Sequence, residues 1–116
     1  MIKKTLLVCA VVLVPAVAWA GAVGGAKHKR DTVLAGQSDL FTIVFEGEEP
    51  ARINVTGDHS SDLDCYVYDN KNNLVASDDD ATDACNLRWT PSWTGKFKLK
   101  ITNRGSSANE YVVQTN

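Results

Sequence analysis

An all-β fold, an antiparallel β-sandwich or jelly roll of about seven to eight strands, is what the sequence predicts, and three observations predict it. Short apolar runs alternate with a period of two, turn residues bound each run, and no helical period follows the N-terminal segment. Successive side chains on a strand point to opposite faces, so such runs bury one face and leave the other to solvent or to a ligand.

Met1 to Ala20 stand apart from this pattern. Lys3 and Lys4 form a positive start, Leu6 to Val17 are apolar, and Ala18-Trp19-Ala20 supplies small residues at alternate positions, as a cleavable secretion signal requires. The apolar run is short for a bilayer-spanning anchor, the competing reading. Cys9 lies inside that run behind Val8, which argues against a lipoprotein site. With processing after residue 20 no membrane span is expected, and the protein is placed in the periplasm or outside the cell.

Residues 21–38 are expected to be a flexible leader, because small residues and Lys27-His28-Lys29-Arg30 show no apolar period. The domain is expected over residues 39–116. Phe41, Ile43 and Phe45 alternate with Thr42 and Val44, and Ala51, Ile53 and Val55 with Arg52, Asn54 and Thr56. Leu63, Cys65 and Val67 oppose Asp64, Tyr66 and Tyr68 on the next strand. Asp69 to Asn73 form a turn of residues that hydrogen-bond their own backbone, which predicts a hairpin into Leu74 to Ser77. Cys85, Leu87 and Trp89 share one face of a strand that Pro91 stops, since proline cannot donate to a ladder. Phe97, Leu99 and Ile101 face inward opposite Lys96, Lys98 and Lys100, and a last strand spans about Glu110 to Thr115. The expected core is Phe41, Ile43, Phe45, Ile53, Val55, Leu63, Val67, Leu87, Phe97, Leu99, Ile101 and Val112 or Val113.

Without its first 20 residues the 116-residue chain keeps 96, enough for one modest core. Lys3 and Lys4 leave with the signal, so ten basic residues face fourteen acidic ones, a formal charge of −4. Nucleic acid is therefore a poor partner. Cys65 and Cys85 are the cysteines that remain, and in an oxidising compartment a disulfide is the expectation, with two separately buried thiols as the alternative.

The Asp62-Leu63-Asp64-Cys65-Tyr66-Val67-Tyr68-Asp69 strand is followed by Asn73-Leu74-Val75-Ala76-Ser77-Asp78, Trp89-Thr90-Pro91, Thr94-Gly95-Lys96-Phe97, Asn103 and Tyr111. In this order the chain resembles the bacterial pre-peptidase C-terminal domain, a secreted β-sandwich found appended to exported proteases. The resemblance implies the sandwich fold and an auxiliary, ligand-engaging role outside the cytoplasm; related modules in the family can bind calcium. The cysteine pair lies outside the family's general pattern, and no catalytic set accompanies the domain here.

Seven acids lie between Asp62 and Asp83 with Lys71 the only base among them. Carboxylates at such density repel unless solvated, paired or bound to a hard cation, and calcium takes oxygen ligands from loops of this composition. Asp62, Asp64, Asp78, Asp79, Asp80 and Asp83 are the candidate calcium ligands, against the plainer reading of a solvated acidic loop. Tyr66, Tyr68 and Trp93 are the candidate ligand-binding residues, because aromatic side chains are enriched where proteins bind; Trp89 shares the parity of the core. The lysine stripe is expected to protect an edge strand from aggregation, with an acidic partner or polysaccharide as the alternative.

Asp58-His59-Ser60 holds the residue types of a hydrolytic triad without its spacing, and no nucleophile elbow is present. Two histidines and a paired cysteine set leave no zinc pattern. The expectation is a non-catalytic secreted or periplasmic module that engages a protein, peptide or glycan. The alternative is a small exported inhibitor or immunity protein that blocks a partner enzyme.

Overall fold

The structure is a computed structural model that describes residues 21–116; the expected signal, residues 1–20, lies outside the described residues. Eight strands make up its regular structure: β1 (His28–Val33), β2 (Ser38–Phe45), β3 (Ala51–Thr56), β4 (Leu63–Tyr68), β5 (Leu74–Asp78), β6 (Ala84–Trp89), β7 (Gly95–Asn103) and β8 (Asn109–Thr115). They form two four-stranded antiparallel sheets in the orders β1-β8-β3-β6 and β2-β7-β4-β5. Among these connections only β4 to β5 joins neighbours in one sheet, as the hairpin across residues 69–73. Every other connection crosses from sheet to sheet, so the turns gather at the two ends of a sandwich.

Most of the core is the one the alternation predicts, and Val33 and Tyr111, outside that expectation, are fully buried in it as well. Phe45, Ile53, Val55, Leu63, Val67, Leu87, Phe97, Leu99, Ile101 and Val113 are buried, and Phe41 and Ile43 pack against them half-buried. Burial of each such side chain contributes about 1.5–3 kcal/mol before chain entropy is counted. Phe45, Trp89 and Phe97 form an aromatic cluster between the sheets, with ring centroids 4.8, 6.1 and 5.5 Å apart. Offset and edge-on contacts of this kind are favoured by the ring quadrupole.

Two further ties run from sheet to sheet. Cys65 on β4 is bonded to Cys85 on β6, which closes a 20-residue separation between the layers. Tyr111 on β8 is fully buried, meets the Phe41 ring edge-on at 6.3 Å, and donates its hydroxyl proton to the Asp39 carboxylate on β2. Burial and the Asp39 charge push the Tyr111 hydroxyl pKa far up, so the group stays a donor throughout the ordinary pH range.

The flexible leader expected over residues 21–38 is corrected by the structure. Residues 28–33 pair along their whole length with β8; the Lys27 amide donates to Thr115 Oγ1 at 2.8 Å, and the Thr115 amide to the Lys27 carbonyl at 3.0 Å. Ala22 is buried beside Phe45, with its amide donating to the Asn116 carbonyl at 2.9 Å. Gly21 has φ 98°, and a Cβ there would fall 2.2 Å from that same carbonyl oxygen, so only glycine fits. Five of the six β1 residues are exposed, which is why the segment shows no apolar period: backbone pairing, not side-chain burial, orders it.

Replacing Cys65 and Cys85 together by alanine is expected to cost about 3 kcal/mol of unfolding free energy. Tyr111→Phe, which leaves Asp39 without its donor, should cost about 1–2 kcal/mol. Urea denaturation of the three proteins measures both. Midpoints that coincide with the parent protein would show that neither tie holds the sheets together.

Candidate functional site

Residues 46–50, 69–73 and 90–94 meet at one end of the sandwich, where β2, β4 and β6 finish and β3, β5 and β7 begin. Gly47 lets the first turn press against the third: a Cβ at Gly47 would lie 2.5 Å from Thr94 N and from the Trp93 carbonyl carbon. Gly47 N donates to Thr94 Oγ1 at 2.8 Å, and Glu48 N donates to the buried Pro91 carbonyl at 2.6 Å. The loop that carries Trp93 is therefore fixed from beneath. Trp93 itself is 44% exposed.

The Asp69 to Asn73 turn takes the form its residues imply. Asp69 is buried, and its carboxylate accepts the amides of Lys71 at 2.8 Å and Asn73 at 2.9 Å, while Asn72 adopts φ 66°. This turn lifts Lys71 over the Trp93 ring, with Nζ 5.6 Å from the centroid, a cation–π contact. A cavity of about 240 Å³ opens beside it, lined among others by Asp69, Val75, Trp89, Pro91, Trp93 and Phe97. Trp89 packs into the core as expected, yet its buried Nε1 has no acceptor within the protein.

Neither Tyr66 nor Tyr68 lines the cavity beside Trp93, although Tyr68 closes β4 at this end. They stand half-buried on the outer face of β4, across from Lys100 and Lys98 of β7. The edge role expected for the lysine stripe is corrected as well: β7 is paired on both sides, by β2 and β4, so its lysines mark the middle of a sheet face.

At the opposite end lie residues 57–62, 79–83 and 104–108. The acids expected to gather here are largely used up singly. Asp64 Oδ2 accepts Arg104 Nε at 2.9 Å. Asp78 Oδ2 accepts the Asn86 amide at 2.8 Å, and Asp80 Oδ1 accepts both the amide and the hydroxyl of Thr82. Asp83 is buried and holds the 57–62 loop, through the His59 amide at 2.6 Å and Asn109 Nδ2 at 3.2 Å. Asp58 accepts from Ser60 and from the Glu110 amide. The Asp58-His59-Ser60 run is thus loop scaffolding: its aspartate serves the serine, and the histidine side chain faces solvent 3.5 Å from Asp83.

Asp62 Oδ1 and Asp64 Oδ1 are buried and without partners. Two oxygens fall short of the six to eight or so that calcium takes. Among the described residues no group of three or more His, Cys, Asp or Glu side chains is disposed to hold a metal ion.

Local hydrogen bonds set the titration of this end and of the 69–73 turn. The Ser60 hydroxyl lowers the Asp58 pKa, the Asn73 amide that of Asp69, and the Thr82 amide that of Asp80. Asp62 goes the other way, raised by burial and by the charges of Asp64, Asp80 and Asp83. The sequence did not reveal Arg104, Asn103 or Asn109 as partners in this web. Asn103, fully buried, donates to the Val33 carbonyl at 3.1 Å and the Ser107 carbonyl at 2.8 Å; Asn109, also fully buried, accepts the Asp58 amide at 3.1 Å.

The architecture is that of the pre-peptidase C-terminal β-sandwich. The chain is similar to the pre-peptidase C-terminal domain of a collagenase from Bacillus anthracis, with a TM-score of 0.63 at 14% identity, over 83% of this chain and 90% of that one. It is also similar to PliG of Aeromonas hydrophila, a periplasmic inhibitor of g-type lysozyme, with a TM-score of 0.58 at 11% identity, over 78% of this chain and 84% of that one. No protein-family model and no curated protein matches the sequence.

Asp58, Asp69 and Asp80 hold their protons more weakly folded than unfolded, so the stability they contribute is complete above the ordinary Asp value near about 3.9 and is lost as pH falls below it through their lower folded values. Asp62 has the opposite sign, and its ionisation costs stability above that range. Melting temperature, followed by circular dichroism, is expected to hold steady above about pH 5 and to fall below about pH 4. Asp62→Asn should melt higher than the parent protein at neutral pH in EGTA, and calcium should not reverse that order. A parent protein that overtakes the variant on adding calcium would assign Asp62 and its neighbours to a metal site.

Proposed function

We propose that this protein is a non-catalytic exported binding module that engages an extracytoplasmic protein, peptide or glycan through the end of the sandwich that carries Trp93. The observation that carries the reading is a large exposed ring on a loop held from beneath by two neighbouring turns, with a cation above it and a cavity beside it. A rigid aromatic loses little conformational freedom when it is covered, and partly exposed tryptophans of this kind dominate binding energies. The signal-like N-terminal segment and the Cys65–Cys85 bridge support a location in an oxidising compartment. The non-catalytic reading is supported by the scaffold role of Asp58, His59 and Ser60.

The similarity to PliG favours a second reading, an exported inhibitor that uses the same end to block a partner enzyme. The two readings share the surface and differ in the consequence of binding.

Affinity capture from the native envelope and medium, with the processed protein immobilised, tests the proposal. Trp93→Ala should weaken capture of the specific partner by about tenfold or more with an unchanged melting temperature, whereas Asp79→Ala, at the far end, should leave it intact. Inhibition of the captured partner's own activity at equal stoichiometry would select the inhibitor reading. Equal capture by the parent protein and Trp93→Ala would remove this end as the site.

A further inference from the structure

A second surface lies on the outer face of the β2-β7-β4-β5 sheet and borders the Trp93 end, where Lys98 Nζ donates to Asn72 Oδ1 at 3.2 Å. Lys96, Lys98 and Lys100 project from the same side of β7, about 6.8 Å apart along the strand. The register sets Tyr66 beside Lys100 and Tyr68 beside Lys98 on the β4 flank. On the β2 flank it sets Leu40, Thr42 and Val44 beside Lys100, Lys98 and Lys96. The result is a ladder of ammonium groups bordered by phenol rings.

Like charges repeated along one strand repel unless they are paired or solvated. Among the described residues the ion pairs are Arg30 with Glu110, His59 with Asp83, and Arg104 with Asp64, and none involves the β7 lysines. Asp64 is the one carboxylate that the paired strands place on this face, and Arg104 matches it. Three positive charges without a carboxylate partner therefore share one face of a protein with four more acids than bases after residue 20.

Both edges of β7 are occupied, so the face offers side chains and no backbone. An acidic peptide could not dock here by strand addition, which needs a free edge. Rings alternating with cations suit a polymer that itself alternates ring and charge. We infer that the outer face of this sheet binds an acidic polysaccharide of the uronate class, with carboxylates on Lys96, Lys98 and Lys100 and sugar rings against Tyr66 and Tyr68.

Binding of polygalacturonate to the processed protein at low ionic strength, by calorimetry, tests this. Binding should weaken steeply with added salt and be absent for the methyl-esterified polymer, which keeps the rings and loses the charge. Poly-L-glutamate should bind about tenfold more weakly or not at all. The Lys98→Gln/Lys100→Gln pair and the Tyr66→Ala/Tyr68→Ala pair should each reduce affinity by about tenfold or more. Single Lys98→Gln and Tyr66→Phe variants, which keep nearly the parent volume, check that any loss is not one of folding; each should keep the parent melting temperature, and Lys98→Gln should weaken binding. Trp93→Ala should bind polygalacturonate normally, so failure of this inference is separable from failure of the Trp93 proposal. No binding of polygalacturonate, equal binding of poly-L-glutamate, or full affinity in the folded lysine or tyrosine pairs would overturn it.

Discussion

Side chains from two sheets meeting in one shared interior are the constraint on which the rest of this protein depends. Because all connections but one pass from sheet to sheet, neither sheet is a local product of the chain, and each is completed only when the other is present. The apolar contacts between β2, β7 and β4 on one side and β3, β6 and β8 on the other are therefore cooperative. The Cys65–Cys85 bond and the Tyr111–Asp39 hydrogen bond reinforce them at separate points of the interface. Fixing the layers in this way turns the sheet-to-sheet connections into rigid turns, and rigid turns can present a ring or a charge without a large entropy cost.

The two ends use that rigidity differently. At the Trp93 end, polar groups serve to shape turns while an apolar ring and a cation remain outside. At the acidic end, most carboxylates are turned inward on the backbone of their own loops, with Asp83 and Asn109 at the centre. A high density of acids in the sequence thus becomes in large part a set of loop anchors, with Asp62 Oδ1 and Asp64 Oδ1 left unpartnered. The side chains that remain available for a ligand are aromatic and cationic, and they lie at the other end and on the outer sheet face.

Strands with one buried face were legible in the sequence because alternation is the direct image of that burial: β2, β3, β4, β6, β7 and β8 each show it. β1 was not, since an edge strand held by backbone pairing leaves no apolar trace. The position of β7 was hidden for a related reason, because a strand's own sequence records which face is buried and not how many neighbours it has. Lys96, Lys98 and Lys100 look the same on an edge and in the middle. Nothing in the sequence signals what Asn103 and Asn109 do, and only the folded chain shows them buried and bridging loops. The disulfide was legible because just two cysteines, Cys65 and Cys85, lie after residue 20. That Tyr66 and Tyr68 stay out of the Trp93 cavity was not, since parity along a strand does not say which loops will border a cavity.

A nitrogen-15 nuclear magnetic resonance titration of the processed protein with its captured partner tests the account most directly. Shifts concentrated in residues 46–50, 69–73 and 90–94, together with the Trp93 indole, are the result this account predicts. Shifts confined to residues 57–62 and 79–83, with the Trp93 indole unmoved, would contradict it.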